Sequence, residues 1–488
     1  MQKRFLYGAS VQGIQSFIFQ TNKLKEIVGA SELVDKICTE FFQDSCKCTP
    51  IETNLNWIIG AAGNIKYLFS SEEEVKSVVL DFPKKVMLMA PGITLSQAVV
   101  EVEGDLSVDH ISELEGLLKL QRNRMVDPFY YGYMATERSR RTGVVSWSSG
   151  SDYEDLPSIL KKEHNGKGLL EKIGHSHLER QFVFDIERFV SNEKKSWIAV
   201  VHADGNSLGV VIQKLSAVLK GKVGSEIVEK YRSFSQNLDM VTRAAAKEAF
   251  SEIFSDEIKN GTEIGFRPIV IGGDDLTVII QASKAVPFTQ LFLAKFEKLS
   301  SEVFKGFFKS IGLEKECLTT CAGISFVKSS FPFHYAVSLA ENLCKKAKTA
   351  SKNTDRVNPP SSLAFFKVQS SFVDDLDEMI KKELVCKSDS LSFFYGPYFL
   401  NQEPSIAQLS KKVEKLREER APSSQLRQWL TERYHDKGAA DMLIDRTIEI
   451  LRRKKQGHFI KDLDLESLKD SNNKVCPVYD WITLNSLQ

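Results

Sequence analysis

The chain has 488 residues, which is too long for one ordinary core and predicts about two to four domains. Apolar residues make up 42% and charged residues 26%, the proportions of a folded globular protein, and 65 basic against 64 acidic residues leave a net charge of +1. That balance excludes bulk, sequence-blind nucleic-acid binding though not a local basic groove, and the lack of any run of about 18 apolar residues excludes a membrane-spanning helix.

In chain order, Arg4–Tyr7 reads as a strand, and the N-terminus, soon interrupted by Gln12, Gln15 and Gln20, lacks a signal-peptide core, so a cytoplasmic location is expected. Leu24–Phe42 reads as a helix, with Leu24, Ile27, Val28, Leu33, Val34, Ile37 and Phe41 near a 3.6 period. Trp57–Ile59 and Ile65–Phe69 read as strands around a small-residue turn, Ser71–Val79 as a helix and Thr94–Val102 as a strand. Strand, helix, strand, turn, strand, helix, strand is the ferredoxin-like order.

Residues 110–195 are polar and irregular, with a basic cluster at Arg138-Ser139-Arg140-Arg141 and a turn at Asn165-Gly166-Lys167-Gly168. The ferredoxin-like order then returns. Trp197–Ala203 is a predicted strand, Ser207–Leu219 and the Phe234–Phe254 region helices, and Pro268–Ile271 and Leu276–Ile280 strands. A helix near Phe288–Phe308, a strand at Leu318–Val327, a helix at Tyr335–Lys352 and a strand at Leu363–Val368 follow. Beyond about residue 372 the pattern is helical: Val373–Leu384, Ile406–Glu419, Ser424–Tyr434 and Ala439–Arg453. Arg452-Arg453-Lys454-Lys455 reads as a solvated helix end.

The fold class expected is α+β: two ferredoxin-like palm domains and a C-terminal helical domain, divided as a first palm at 1–110, a partly helical connection at 111–195, a second palm at 196–371 and helices at 372–488. The two palms align as copies. Ala61-Ala62-Gly63-Asn64 falls on Gly272-Gly273-Asp274-Asp275, and Ser10 on Asp204. The first copy therefore lacks all three acids and is expected to be a degenerate scaffold for the second.

Gly272-Gly273-Asp274-Asp275 sits between two β-branched apolar runs. The glycines permit a tight turn and close approach of a phosphate. Two adjacent carboxylates repel each other unless a cation compensates. A third acid, Asp204, ends the apolar strand Val200–Ala203 beside that hairpin, so three carboxylates converge as two Mg²⁺ or Mn²⁺ ions on ATP require. One ion lowers the pKa of an attacking 3′-hydroxyl and the other neutralises the leaving pyrophosphate. The amides of Gly205, Asn206, Ser207 and Leu208 open a helix and suit triphosphate oxygens. Lys348, then Lys352, are the candidate phosphate contacts. His202 is expected to pack on the face of the strand away from Asp204. The eight cysteines are expected to be reduced thiols, and neither Cys38, Cys46 and Cys48 nor His175 and His177 give four zinc ligands.

The run Gln15-Ser16-Phe17-Ile18-Phe19-Gln20-Thr21-Asn22-Lys23-Leu24-Lys25-Glu26-Ile27-Val28-Gly29-Ala30-Ser31 resembles the first palm of the large subunit of type III CRISPR effector complexes, especially the Cmr type. His202-Ala203-Asp204-Gly205-Asn206 and Gly272-Gly273-Asp274-Asp275 resemble that subunit's second, active palm. The resemblance implies conversion of ATP to cyclic oligoadenylate messengers within a complex of other effector subunits, guide RNA and target RNA. It assigns the metals to Asp204, Asp274 and Asp275, the turn to Gly272 and Gly273, and a triphosphate contact to Lys348. Many relatives begin with a nuclease domain bearing a His-Asp motif. Here the palm begins at residue 4, and the His-Asp pair His435-Asp436 lies among the C-terminal helices, so no DNA cleavage is expected. Other readings stay open: a stand-alone or GGDEF-like cyclase, although Leu276 stands where that motif has Glu; a synthase joining ATP to another acceptor such as S-adenosylmethionine; and a scaffold that only holds RNA and partners.

Overall fold

The computed structural model describes residues 3–51, 54–61, 63–124, 135–147, 153–164, 166–189, 197–369, 375–386, 389–469 and 474–487. Ala62, Asn165, Val373 and the 372 boundary lie outside the described residues.

The first sheet holds β1 (Lys3–Gln12), β2 (Trp57–Ala61), β3 (Asn64–Phe69) and β4 (Thr94–Glu103) in the order β2-β3-β1-β4, every pair antiparallel. Helix α1 (Leu24–Lys36) links β1 to β2, and α2 (Glu72–Met89) links β3 to β4. One face of β1 packs Tyr7 against Phe42 and Phe69, with Phe82 of α2 behind Phe42. The other face is covered by α3 (Val108–Arg122): a Cβ on Gly8 would lie 2.7 Å from Leu114, so only glycine lets that helix close. Burial on both faces explains why β1 reads as a continuous apolar run rather than an alternating one.

The second sheet repeats the order. β5 (Trp197–Gly205), β6 (Phe266–Gly272), β7 (Asp275–Gln281) and β8 (Thr320–Lys328) lie as β8-β5-β7-β6, again antiparallel. Helices α4 (Leu208–Leu219) and α5 (Ser225–Ile253) link β5 to β6, and α6 (Ala282–Val303) links β7 to β8. Helix α7 (Phe333–Thr354) then carries the chain to β9 (Ser362–Lys367), parallel to β8, and β10 (Tyr398–Phe399) adds an antiparallel edge. Gly323 of β8 admits α7, since a Cβ there would meet the Ala340 carbonyl at 1.9 Å. The abundant phenylalanines fill this half: Phe250, Phe254, Phe266, Phe288 and Phe292 form one run of ring contacts between α5, β6 and α6.

The halves meet where α1 lies on β6. The Ser31 hydroxyl donates to the Ile269 carbonyl, and Lys172 Nζ donates to Asp35 at 2.6 Å and to the Ile271 carbonyl at 3.2 Å. After β9 the chain is mainly helical, with α8 (Leu376–Glu383), α9 (Ile406–Arg417), α10 (Ser423–His435), α11 (Lys437–Arg453) and α12 (Val478–Asn485) around buried Trp429. Arg452 and Arg453 at the end of α11 are exposed and pair with Glu466 and Glu449.

Three expectations need correction. The helix predicted over Leu24–Phe42 is α-helical only to Lys36, then π-helical through Ile37–Phe41 before Phe42–Cys46 resumes the α form. The helix predicted over Ser71–Val79 runs on to Met89 and absorbs Pro83, because its apolar face at Val75, Val78, Phe82 and Val86 stays buried. Cys46 and Cys48 are bonded to each other rather than free, brought to a Cα separation of 5.2 Å by Lys47 in the left-handed region. No helix among the described residues is long and apolar enough to cross a membrane.

Candidate active site

Asp204 is the penultimate residue of β5, and Asp275 is the first of β7, the strand beside it. The pairing Ala203↔Leu276 brings the end of β5 level with the tip of the β6–β7 hairpin, which closes on Gly272↔Asp275. Gly273 takes φ 62°, the left-handed conformation that the turn demands. Gly205 is needed for a different reason. A Cβ there would lie 3.0 Å from the Asp274 Cβ and 2.8 Å from Leu208, so glycine lets the hairpin tip close on β5.

Helix α5 fixes the tip from behind. The Thr242 hydroxyl donates to the Gly273 carbonyl at 2.6 Å, and the Gly273 amide donates to Asp239 at 3.3 Å. Asp239 is itself held by Arg243 at 2.7 Å. Neither Asp239 nor Thr242 carries a sequence signal, since nothing local in a long helix marks the residues that face a hairpin some thirty positions downstream.

The three predicted acids meet. The carboxyl groups of Asp204 and Asp274 share a hydrogen bond. Burial and the neighbouring Asp204 push the Asp274 carboxyl up to about 7, and burial with the charges of Asp274 and Asp204 pushes Asp275 up to about 8. Burial alone would raise Asp204 as well, but the Asp274 hydrogen bond and the Lys348 ammonium hold it below the usual carboxylate range. Lys348 of α7 forms an ion pair with Asp204 and donates to the Gly205 carbonyl at 2.8 Å. Lys352, one turn on, is exposed.

His202 is not where it was expected. One ligand atom each from His202, Asp204 and Asp275 lie within 4.8 Å of one another. The reason is the strand period: residues two apart point to the same face, so His202 and Asp204 are neighbours and Ala203 faces away. The imidazole Nδ1 and the Thr277 hydroxyl share a 3.0 Å hydrogen bond across the paired strands. Burial pushes the imidazole down to about 4 against the pull of Asp204, so it is neutral near pH 7.

Asn206 is fully buried. Its amide donates to the Thr319 carbonyl at 2.8 Å, and its side chain donates to the Thr319 hydroxyl and the Cys321 sulfur. It anchors β8 and keeps no surface for a ligand. Ser207, at φ 59°, starts α4. Gly272 and Gly273 lie at the hairpin as predicted.

These donors fit divalent cations. Carboxylates this close are stable without metal only by holding protons or borrowing an internal cation; the raised Asp274 and Asp275 favour the first, and Lys348 on Asp204 supplies the second. Beside them, His202, Asp275 and Gly272 line a cavity of about 260 Å³ whose opposite wall is Gly60, Ala61 and Gly63 of the first sheet and Ile14, Gln15 and Ile18 of the N-terminal run. The hairpin tips of the two sheets thus face each other.

Residues 197–357 match the family model of Cas10/Cmr2, second palm domain. The resemblance read from His202–Asn206 and Gly272–Asp275 therefore holds, and both motifs fall inside the matched stretch. Among solved structures, Csm1 in T. onnurineus is similar at 12% identity and a TM-score of 0.55, over 100% of this chain and 69% of that one. A Csm1–Csm4 cassette in complex with cA3 is similar at 12% identity and a TM-score of 0.54, over 99% of this chain and 70% of that one. The same cassette in complex with pppApA gives 12%, 0.54, 99% and 69%. The chain spans only 54% of a further cassette, solved with AMPPNP. At these identities the likeness establishes a shared palm-type fold. No curated protein matches the chain.

Proposed function

We propose that the chain is a metal-dependent nucleotidyltransferase that converts ATP to cyclic oligoadenylates as the large subunit of a type III CRISPR complex. The observation that carries this reading is the convergence of Asp204, Asp274, Asp275 and Lys348 at a Gly-Gly-Asp-Asp hairpin, inside the stretch that matches a Cas10/Cmr2 second palm. The complexes of the similar Csm1–Csm4 cassette with cA3 and pppApA support adenylates as the product class. The cassette itself supports a partner subunit, and on this reading guide and target RNA would reach the chain through the complex.

The residues divide the work. Asp204, Asp274 and Asp275 would hold two divalent ions, Mg²⁺ or Mn²⁺, which when bound would supply charge neutralisation and an activated 3′-hydroxyl. Gly272, Gly273 and Gly205 keep the backbone close enough to approach phosphates. Lys348, which pairs with Asp204 and donates to the Gly205 carbonyl, would be the cation for the triphosphate, and the amides of Ser207 and Leu208 at the start of α4 would offer donors to the same oxygens. Asp239 and Thr242 hold the hairpin in register. The domain division proposed keeps a first palm at 1–110, a connection at 111–195, a catalytic palm at 196–371 and helices from 372, with β10 returning to the second sheet.

The test is mass spectrometry of products from the purified chain with ATP and Mg²⁺ or Mn²⁺, alone and with the other effector subunits and target RNA, against Asp274→Asn with Asp275→Asn. Cyclic adenylates from the wild type and none from the variant are expected. Silence of the wild type in the complete, RNA-bound complex would overturn the reading.

A further inference from the structure

The three carboxylates do not stand alone on this face. A nitrogen donor is built in beside them, and its kind, more than its number, bears on which ion the site accepts. One donor atom each from His202, Asp204 and Asp275 lie within 4.8 Å of one another. Ligands on opposite sides of an ion with bonds of about 2.1–2.3 Å lie roughly 4.2–4.6 Å apart, so one ion can reach all three with small side-chain adjustments.

His202 is also held as metal-bound histidines are. Its Nδ1 is tied to Thr277, a buried threonine opposite it in the β5–β7 ladder, and such outer contacts fix the plane of a ligating ring. Both strands are interior strands of the sheet, so the ring sits on a rigid platform. On the far side of β5, Gly323 opposes His202 in register and brings α7 close, so the helix that carries Lys348 shares this face.

We propose that His202 is a direct ligand of one catalytic ion and gives the site a preference for transition-metal divalent cations such as Mn²⁺ over Mg²⁺. This rests on the metal-dependent reading above. The chemistry is general. Mg²⁺ is hard, keeps several waters and is bound through carboxylate oxygens and phosphates. Affinity for a nitrogen donor rises along the first row from Mn²⁺, which among these ions is the most content with oxygen donors, while imidazole adds least for Mg²⁺. Replacing one oxygen position by a nitrogen therefore enlarges whatever bias an oxygen-only palm has toward Mn²⁺ and the later ions.

The test is binding, measured on the full chain without turnover. Mn²⁺ is titrated by electron paramagnetic resonance of the free ion, and Mg²⁺ by competition against it. The expected result is Mn²⁺ affinity at least ~30-fold above Mg²⁺, with ¹⁴N coupling visible in the electron spin echo of the bound Mn²⁺. His202→Asn is expected to remove the nitrogen coupling and to weaken Mn²⁺ by ~10–100-fold while leaving Mg²⁺ within about threefold. Thr277→Val keeps the imidazole and frees its orientation, so it is expected to retain the coupling and to lose Mn²⁺ affinity by less than His202→Asn does.

Mn²⁺ that binds the wild type without nitrogen coupling, or a Mn²⁺/Mg²⁺ ratio unchanged in His202→Asn, would overturn this inference and leave the catalytic reading standing. Failure of the wild type to bind either ion, with Asp275→Asn indistinguishable from it, would overturn both.

Discussion

The four strands of the first sheet and the matching four of the second are one design executed twice, and beyond the two strands β9 and β10 that the second adds, the telling difference lies in a few side chains on one face. In both, the strand order is the same, the hairpin closes two residues apart (Ala61↔Asn64 and Gly272↔Asp275), and the first strand meets the hairpin at matching positions (Ala9↔Ile65 and Ala203↔Leu276). In both, the helix after the fourth strand covers the face in question and reaches it with a cation. Arg122 of α3 donates to the Ser10 hydroxyl at 3.3 Å, and Lys348 of α7 pairs with Asp204. Ser10 in turn donates to Asn64 at 3.1 Å, where the second sheet crowds its carboxyls. One sheet satisfies these positions with hydrogen bonds among Ser10, Asn64 and Arg122 and brings no carboxylate to them. The other crowds three carboxyls: burial and their mutual repulsion raise Asp274 and Asp275, and Lys348 is set against Asp204, a pattern common at functional sites.

The largest effect that sharpens this contrast is its removal. Asp204→Asn is expected to lower the rate of adenylate synthesis by at least about 10²–10³-fold, since a metal-binding charge and the Lys348 partner go together. Ser10→Ala in the first sheet is expected to change that rate by less than about threefold. A comparable loss from both would break the division into working and supporting halves.

The next effect is pH. Asp274 and Asp275 titrate near 7 and 8 in the metal-free chain, well above the ordinary carboxylate range. Metal must displace their protons, so affinity for Mn²⁺ is expected to rise with pH between about 6 and 8, by up to about tenfold per unit for each proton released. The sign for stability is opposite. Folded carboxyls with raised pKa bind more protons than unfolded ones between about pH 4 and 8, so the metal-free chain loses stability as pH rises through that window. Melting curves of apo and Mn²⁺-loaded protein at pH 6 and pH 8.5 check both, with metal expected to restore the loss.

Gly205→Ala comes third. Its Cβ would press on Asp274 and Leu208, and overpacking of this kind costs about 1–3 kcal/mol. The expected outcome is a lower melting temperature and a drop in synthesis of roughly tenfold or more, as the hairpin is levered off β5. Thr242→Val is smaller, at about 1 kcal/mol and a few-fold in rate, through the lost bond to the Gly273 carbonyl. The smallest effect concerns an attempted gain, and none is expected: Ser10→Asp with Asn64→Asp should create no metal site. The third acid would have to replace Gly63, which sits at φ 75° with Ile14 only 2.6 Å from its would-be Cβ. Calorimetry with Mn²⁺ on the double variant, in an Asp274→Asn, Asp275→Asn background, reads this directly.

Much of this was legible in the sequence. The ferredoxin-like order, its repetition and the alignment of Ser10 with Asp204 follow from period and turn chemistry, which are local. The convergence of three acids followed from topology. What escaped was what only packing decides. Pro83 inside α2 and the π turn at Ile37–Phe41 survive because burial outweighs propensity. Asn206, a plausible phosphate contact by position, is committed to Thr319, 113 residues away and just before the neighbouring strand β8. His202 was within reach: the two-residue strand period alone places it beside Asp204, on the same face as the acids.

The Lys348–Asp204 pair changes what kind of event ligand binding is. A cluster that carries its own tethered ammonium does not wait as bare charge for a cation from solution. It works as an ion exchanger whose resident counterion is covalently anchored and cannot diffuse away. On the function proposed, a metal on the acids would release that counterion by only the length of a side chain, toward the side where a triphosphate would arrive, and metal and nucleotide would be coupled through one lysine.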